Sequence, residues 1–191
     1  MSLSPACGPG TATETLMARI DYADLSRGDA AALASRIAAE RGSVLHLYQM
    51  LLHSPPAAEG WLNYLTAIRH HCALDGAIRE LVIMRIAHLN RAPYEADQHA
   101  PIALREGLRQ DQLDALALDE VPADRFDARE RAVLAYADAM TRFVQVPDAV
   151  FQVVRRHFPD RELVELTATI AAYNMVSRFL EALQVHSDDR R

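Results

Sequence analysis

Cysteine is scarce in this chain. Only Cys7 and Cys72 occur among 191 residues, and they lie far apart. Neither a disulfide framework nor a Cys-x-x-Cys redox pair can be built from them. Cys72 reads as a small buried or half-buried residue, and the thiol-poor composition points to a reducing compartment, the cytoplasm. Glycine (7 residues) and proline (9) are few, and β-branched runs are rare, which argues against a sheet-rich fold. No basic patch interleaved with aromatics accompanies the net charge of −6, so nucleic acid is not an expected partner. An acidic surface gives little attraction to anionic lipid. No apolar run reaches the ~18 residues that cross a bilayer. The N-terminal MSLSPACGPGTATET has neither a basic nor an apolar signal region, and it reads as a flexible tail. A Gly-rich phosphate loop, GxSxG, HExxH and zinc-spaced His/Cys sets are all missing. No metal and no cofactor are expected.

What is present is helix-forming sequence. Half of the residues are apolar (50%), enough for a sizeable core in one domain. Ala, Leu, Arg and Glu dominate, and all favour helix, so the fold class is all-α. The expected domain spans residues 29–185, between a tail over 1–28 and a charged tail over 186–191. Helical periodicity runs through 29–53, with Arg41-Gly42 as a possible break, and stops at Ser54-Pro55-Pro56. A second helix covers 57–71, with Trp61, Leu62, Leu65 and Ile68 as its apolar stripe.

Asp75 is placed to cap a helix over 76–90. Ile78, Leu81, Val82, Ile83, Ile86 and Leu89 cover more than half of its circumference, which predicts a central helix. Its polar residues Glu80, Arg85 and His88 therefore need a reason. Asn90-Arg91-Ala92 breaks this helix, Pro93 opens the next, and Gly107 closes it. A short helix over 111–118 and the polar connection DEVPADRFDA follow. Asp127 with Glu130 forms a capping box for a helix to Val144. Further helices are expected over 148–157 and 160–184.

PYEADQH, residues 93–99, places Glu95 and His99 four apart on one helical face. They are either a proton-transfer pair or an ordinary surface contact worth ~0.3 kcal/mol. A carboxylate in the first helical turn is favoured by the helix dipole in any case. Glu80 could likewise do no more than pair with Arg79 or Arg85 at a helix contact.

The stretch IRELVIMRIAHLNRAPYEADQHAPIALREGL, residues 78–108, resembles the signature of the carboxymuconolactone decarboxylase family, which shares its fold with the AhpD alkylhydroperoxidases. The shared pattern is Arg-Glu on an apolar helix, a short break, a helix with Glu or Cys and a His four residues on, then Gly-Leu. Residues 126–183 and LLHSPPAAEGWLNYL are similar to flanking parts of the longer members. The resemblance implies an AhpD-like fold with a central antiparallel helix pair. It also implies a homo-oligomer, a trimer or a hexamer.

The redox branch carries Glu, Cys-x-x-Cys and His. On this sequence the Glu falls at Glu80 and the His at His99, but Ala92 and Glu95 occupy the cysteine positions. Without a thiolate and a resolving thiol, peroxide reduction by that route should be absent. The decarboxylase branch is similar to this chain in having Glu followed by His four residues on. It implies a cofactor-free lyase acting on a small carboxylated lactone or related carbonyl compound. His99 is the first choice for proton transfer. Glu95 would orient His99 or act as an acid, and Glu80 would complete a relay. Arg85 is a candidate for binding a substrate carboxylate, although it lies about 140° around the helix from Glu80, and Tyr94 is a candidate for the pocket wall. Two alternatives stay open: a non-catalytic helical oligomer or small-molecule binder, and, ranked behind it, an antioxidant enzyme that uses Cys72.

Overall fold

Nine α-helices and two short non-α turns make up the regular structure of the computed structural model, which describes residues 17–189. The tail expected over 1–28 falls largely outside the described residues, as does Cys7. No strand occurs among the described residues. Local chemistry accounts for most element boundaries. α1 (Gly28–Arg41) ends at Gly42, which takes a left-handed φ of 83°. The long first helix expected from periodicity is thus two helices, because α2 (His46–Leu51) starts afresh after the break. α3 (Pro55–Thr66) begins on a proline and runs into a π-type turn, Ala67–His71. There the Cys72 N–H reaches five residues back to the Ala67 carbonyl at 3.2 Å.

α4 (Gly76–Leu89) is capped by the Asp75 carboxylate, which accepts from the Ile78 N–H at 3.1 Å. Arg91 then turns left-handed with φ 54°, and the Ala92 N–H closes the helix end onto the Ala87 carbonyl at 2.8 Å. The chain reverses into α5 (Pro93–Glu106), so α4 and α5 form an antiparallel hairpin. Gly107, with φ 110°, ends α5 and lets Leu108 fold back into the core. α6 (Gln110–Leu116) follows. α7 (Ala128–Phe143) starts at the reciprocal Asp127/Glu130 capping box. α8 (Asp148–Arg155) and α9 (Asp160–Leu183) complete the chain.

α4 is the hub. Every residue from Glu80 to Ala87 is buried, and the helix packs against α5, α7 and α9 together. An apolar helix surrounded by other helices is what its sequence predicted. Trp61 is half-buried and packs against the Phe179 ring with centroids 5.1 Å apart.

The ends of the domain differ from expectation. Residues 17–27 do not form a separate tail. The Arg19 N–H donates to the Leu183 carbonyl at 2.9 Å and its guanidinium to Ala182 at 3.0 Å. Tyr22 donates to Asp189, which is itself buried. The last described residues, expected to form a charged tail, are instead packed against the segment that precedes α1.

Arg85 is also a correction. The sequence offered it as a ligand for a substrate carboxylate. Instead, its guanidinium uses all five donors on the protein. Two go to Asp138, at 2.8 Å each, and the others reach the carbonyls of Leu116, Leu118 and Asp119. Arg85 thereby satisfies the open carbonyls at the end of α6 and anchors that turn to α7. A groove of about 330 Å³ runs beside it, but no donor of Arg85 is left for a ligand. Replacing Arg85 by Met should leave three carbonyls unanswered and Asp138 with the longer Arg142 contact at 3.6 Å. A loss of about 3 kcal/mol in urea unfolding is expected.

Candidate functional site

The helix hairpin brings Glu80 and His99 together. His99 sits two turns into α5, opposite the first turns of α4, and its Nδ1 lies 2.7 Å from Glu80 Oε2. The other Glu80 oxygen accepts from Arg79 Nε at 3.0 Å. Glu80 is fully enclosed. Burial alone would push its carboxyl up, but the hydrogen bonds and charges of His99 and Arg79 outweigh burial, and the net shift is downward. An ionised carboxylate only accepts, so His99 Nδ1 carries the hydrogen. In the neutral ring the lone pair then sits on Nε2. The imidazole and the Tyr173 ring stand at 88° to each other, with centroids 5.0 Å apart.

Arg79 holds more than Glu80. Its Nη1 donates to the Arg69 carbonyl at 3.2 Å and its Nη2 to Glu106 at 3.1 Å. The π-type turn explains the first contact. Beyond it, the N–H groups of Ala73 and Leu74 both go to Glu165 Oε2 and not back along the helix. The Arg69 carbonyl is left for Arg79.

Glu95 lies a turn before His99 and is 2% exposed, while His99 is 8% exposed. The reading of the two as a solvated surface pair is therefore wrong. They do not bond each other either: Glu80, and not Glu95, orients His99. The Glu95 Oε2 partner is the Ser177 hydroxyl on α9, and Oε1 is buried without a partner. Burial pushes the Glu95 carboxyl up to about 8, against the pull of Ser177 and with the help of the Glu181 charge.

The hydrogen count supports the same protonation state. Ser177 has one hydroxyl hydrogen, yet its oxygen lies within bonding distance of both Glu95 and the Tyr173 carbonyl, the latter at 2.9 Å. If Glu95 carries a proton, it donates to Ser177, and Ser177 donates to the carbonyl. Every bond is then served.

Glu95 and His99 both line a cavity of about 50 Å³. Tyr48 from α2 and Leu65 from α3 form part of its wall. So do Arg69 from the π-type turn and Tyr173 and Val176 from α9. Tyr94 lines it too, and its hydroxyl faces the Leu47 N–H at 3.5 Å. Burial pushes the Tyr173 phenol well above its ordinary value, so it stays a hydroxyl. Arg69, Tyr173 and Ser177 were not picked out from sequence. Tyr173 and Ser177 come from α9, far along the chain from the α4–α5 hairpin, and Arg69 from the π-type turn just before α4; no spacing rule links them to the site.

Cys72 lies outside this cavity. Burial and the Glu165 charge raise its thiol above the usual range, the opposite of an activated thiolate. Among the described residues no group of His, Cys, Asp and Glu could hold a metal ion. No described helix is long and apolar enough to cross a membrane.

The family model for "carboxymuconolactone decarboxylase family" matches residues 55–139, a span that holds Arg69, Glu80, Glu95 and His99. Over these residues, from α3 into α7, the chain is similar to the carboxymuconolactone decarboxylase family. An uncharacterized protein, YnjA of Escherichia coli (strain K12), is 34% identical over 128 residues, which is 66% of either chain. An uncharacterized peroxidase-related protein from Silicibacter sp. TM1040 superposes with a TM-score of 0.77 at 18% identity, covering 93% of this chain and 95% of its own. An alkylhydroperoxidase AhpD core protein from Ralstonia eutropha JMP134 gives 0.77 at 21% identity, covering 91% and 93%. The fold of the chain is therefore AhpD-like, with the Glu80–His99 pair on its central hairpin.

A buried carboxyl with a raised pKa penalises the native state once solvent pH removes its proton. For Glu95 that stabilising difference is complete below the ordinary carboxyl value of 4.5 and is lost as pH rises through about 8. Glu95→Gln has no proton to lose. Relative to this variant, the wild type should lose roughly 1 kcal/mol per pH unit across that interval in chemical denaturation.

Proposed function

We propose that the protein is a cofactor-free lyase that moves a proton on a small carboxylated lactone or a related carbonyl compound. The observation that carries this reading is the pairing of two unlike acid–base groups on one cavity: His99, oriented by an ionised Glu80, and Glu95, neutral near physiological pH. Environments that separate two titratable groups in this way are what acid–base chemistry needs. The cysteine positions of the redox branch hold Ala92 and Glu95, and the Cys72 thiol is pushed up by its surroundings. A lyase thus fits the residues better than a thiol peroxidase.

In the proposed reaction the bond from carbon to carboxylate breaks and CO₂ leaves. The electron pair passes into the conjugated carbonyl and gives a dienolate. His99 returns a proton from solvent to the carbon through Nε2, while neutral Glu95 offers a proton beside the developing negative charge. Glu80 holds the imidazole in the required tautomer and offsets the positive charge when the ring is protonated. Entry of a ring-sized substrate requires side chains of the cavity wall to move, because the space has room for only a few waters.

That small volume favours one other reading, a non-catalytic helical oligomer or small-molecule binder. Carbon dioxide release from a panel of carboxylated lactones and β-keto acids separates the two. His99→Ala should lower kcat at least 100-fold. Activity should be retained below pH 8 and fall as pH rises through about 8, where Glu95 loses its proton. Equal rates for wild type and His99→Ala would remove His99 from the mechanism. No turnover with any compound would leave the binder.

A further inference from the structure

Arg69 is the unexplained charge of the cavity. Its side chain lines the wall with Glu95, Gln98 and His99, and it takes part in no hydrogen bond or ion pair among the described residues. No Arg69 nitrogen is both buried and unpartnered, so its donors stay open to solvent and to whatever enters the cavity. The other charges nearby are matched. Glu80 is answered by Arg79 and His99, and Arg79 in turn by Glu106. Glu95 holds its proton near neutral pH, and Glu181 does not line the cavity. One positive charge therefore faces the cavity with nothing to balance it. Tyr173 adds a hydroxyl that bonds to no described residue and feels the Arg69 charge.

The local backbone fits such a role. Arg69 sits in the π-type turn, a distortion that recurs at functional sites. Its carbonyl is pinned by Arg79, so the guanidinium stem leaves from a fixed point beside the Glu80–His99 pair.

We infer that Arg69 is the specificity-determining residue of the cavity, selecting small monocarboxylates by pairing with the ligand carboxylate while the carbon skeleton lies against Leu65 and Val176. The guanidinium suits a carboxylate because it offers two parallel N–H donors and stays charged at any working pH. This role, assigned from the sequence to Arg85, passes to Arg69, whose donors are unused. The choice of cavity rests on the proposed function, but binding selectivity does not require turnover.

The test is an NMR titration near pH 7 that follows the His99 and Tyr173 side-chain signals. Propionate and 2-furoate serve as probes, and propionamide and 2-furamide as their neutral counterparts. Wild type should bind each acid at least tenfold more tightly than its amide. Arg69→Gln should weaken acid binding at least tenfold and leave amide binding unchanged. Arg69→Lys, which keeps the charge, should retain the preference for acids, and the exposed Arg105→Gln should behave as wild type. Because the Arg69 side chain bonds nothing, the melting temperature should not move. Acid binding that survives Arg69→Gln, amides that bind wild type as tightly as acids, or no acid binding by wild type would each overturn the assignment. Selective binding without turnover would overturn only the lyase reading. His99-dependent turnover with acid binding indifferent to Arg69 would overturn only the role of Arg69.

Discussion

A buried carboxylate holds the centre of this protein together. Glu80 has no contact with water, so its charge survives only because Arg79 and His99 both reach it. Removing one partner from such a group strands a charge in low dielectric and costs several kcal/mol. The same cluster joins three pieces of chain. Arg79 ties α4 to the π-type turn through the Arg69 carbonyl and to the end of α5 through Glu106. His99 ties α4 to the middle of α5. The hairpin angle, the tautomer of His99 and the position of Arg69 thus depend on one ionic knot.

Glu95 shows how strongly surroundings decide what a carboxyl does. It shares the cavity region with Glu80 and has the same chemistry in isolation. Glu80 meets two cationic or N–H-bearing partners and ionises readily. Glu95 meets a hydroxyl, apolar side chains and the field of Glu181, and it keeps its proton. A base oriented by one carboxylate and an acid made of another can therefore coexist on one small surface.

The helices were legible in the sequence because their signals are local. Asp75, Pro93, Gly107 and the Asp127/Glu130 box each act within a few residues, and each marks an observed boundary. The all-round apolar character of α4 announced its central place. The site was only half legible. Glu80, Glu95 and His99 could be named from the family-like stretch, yet their pairing could not. Helical spacing suggested a Glu95–His99 contact, whereas tertiary packing gave His99 to Glu80 and Glu95 to Ser177. Arg85 looked unattached until the end of α6 was seen to need its donors. Arg69 and Ser177 carried no sequence signal, because their relevance arises from where the π-type turn and α9 fold back.

The proton on Glu95 alters what the formal charge means. The value of −6 counts every carboxyl as ionised, so near neutrality the native molecule carries one negative charge fewer on account of this group. Unfolding exposes Glu95 to water, where it ionises. Denaturation at that pH is consequently accompanied by proton release from this side chain, and part of the heat a calorimeter records belongs to the buffer that captures it.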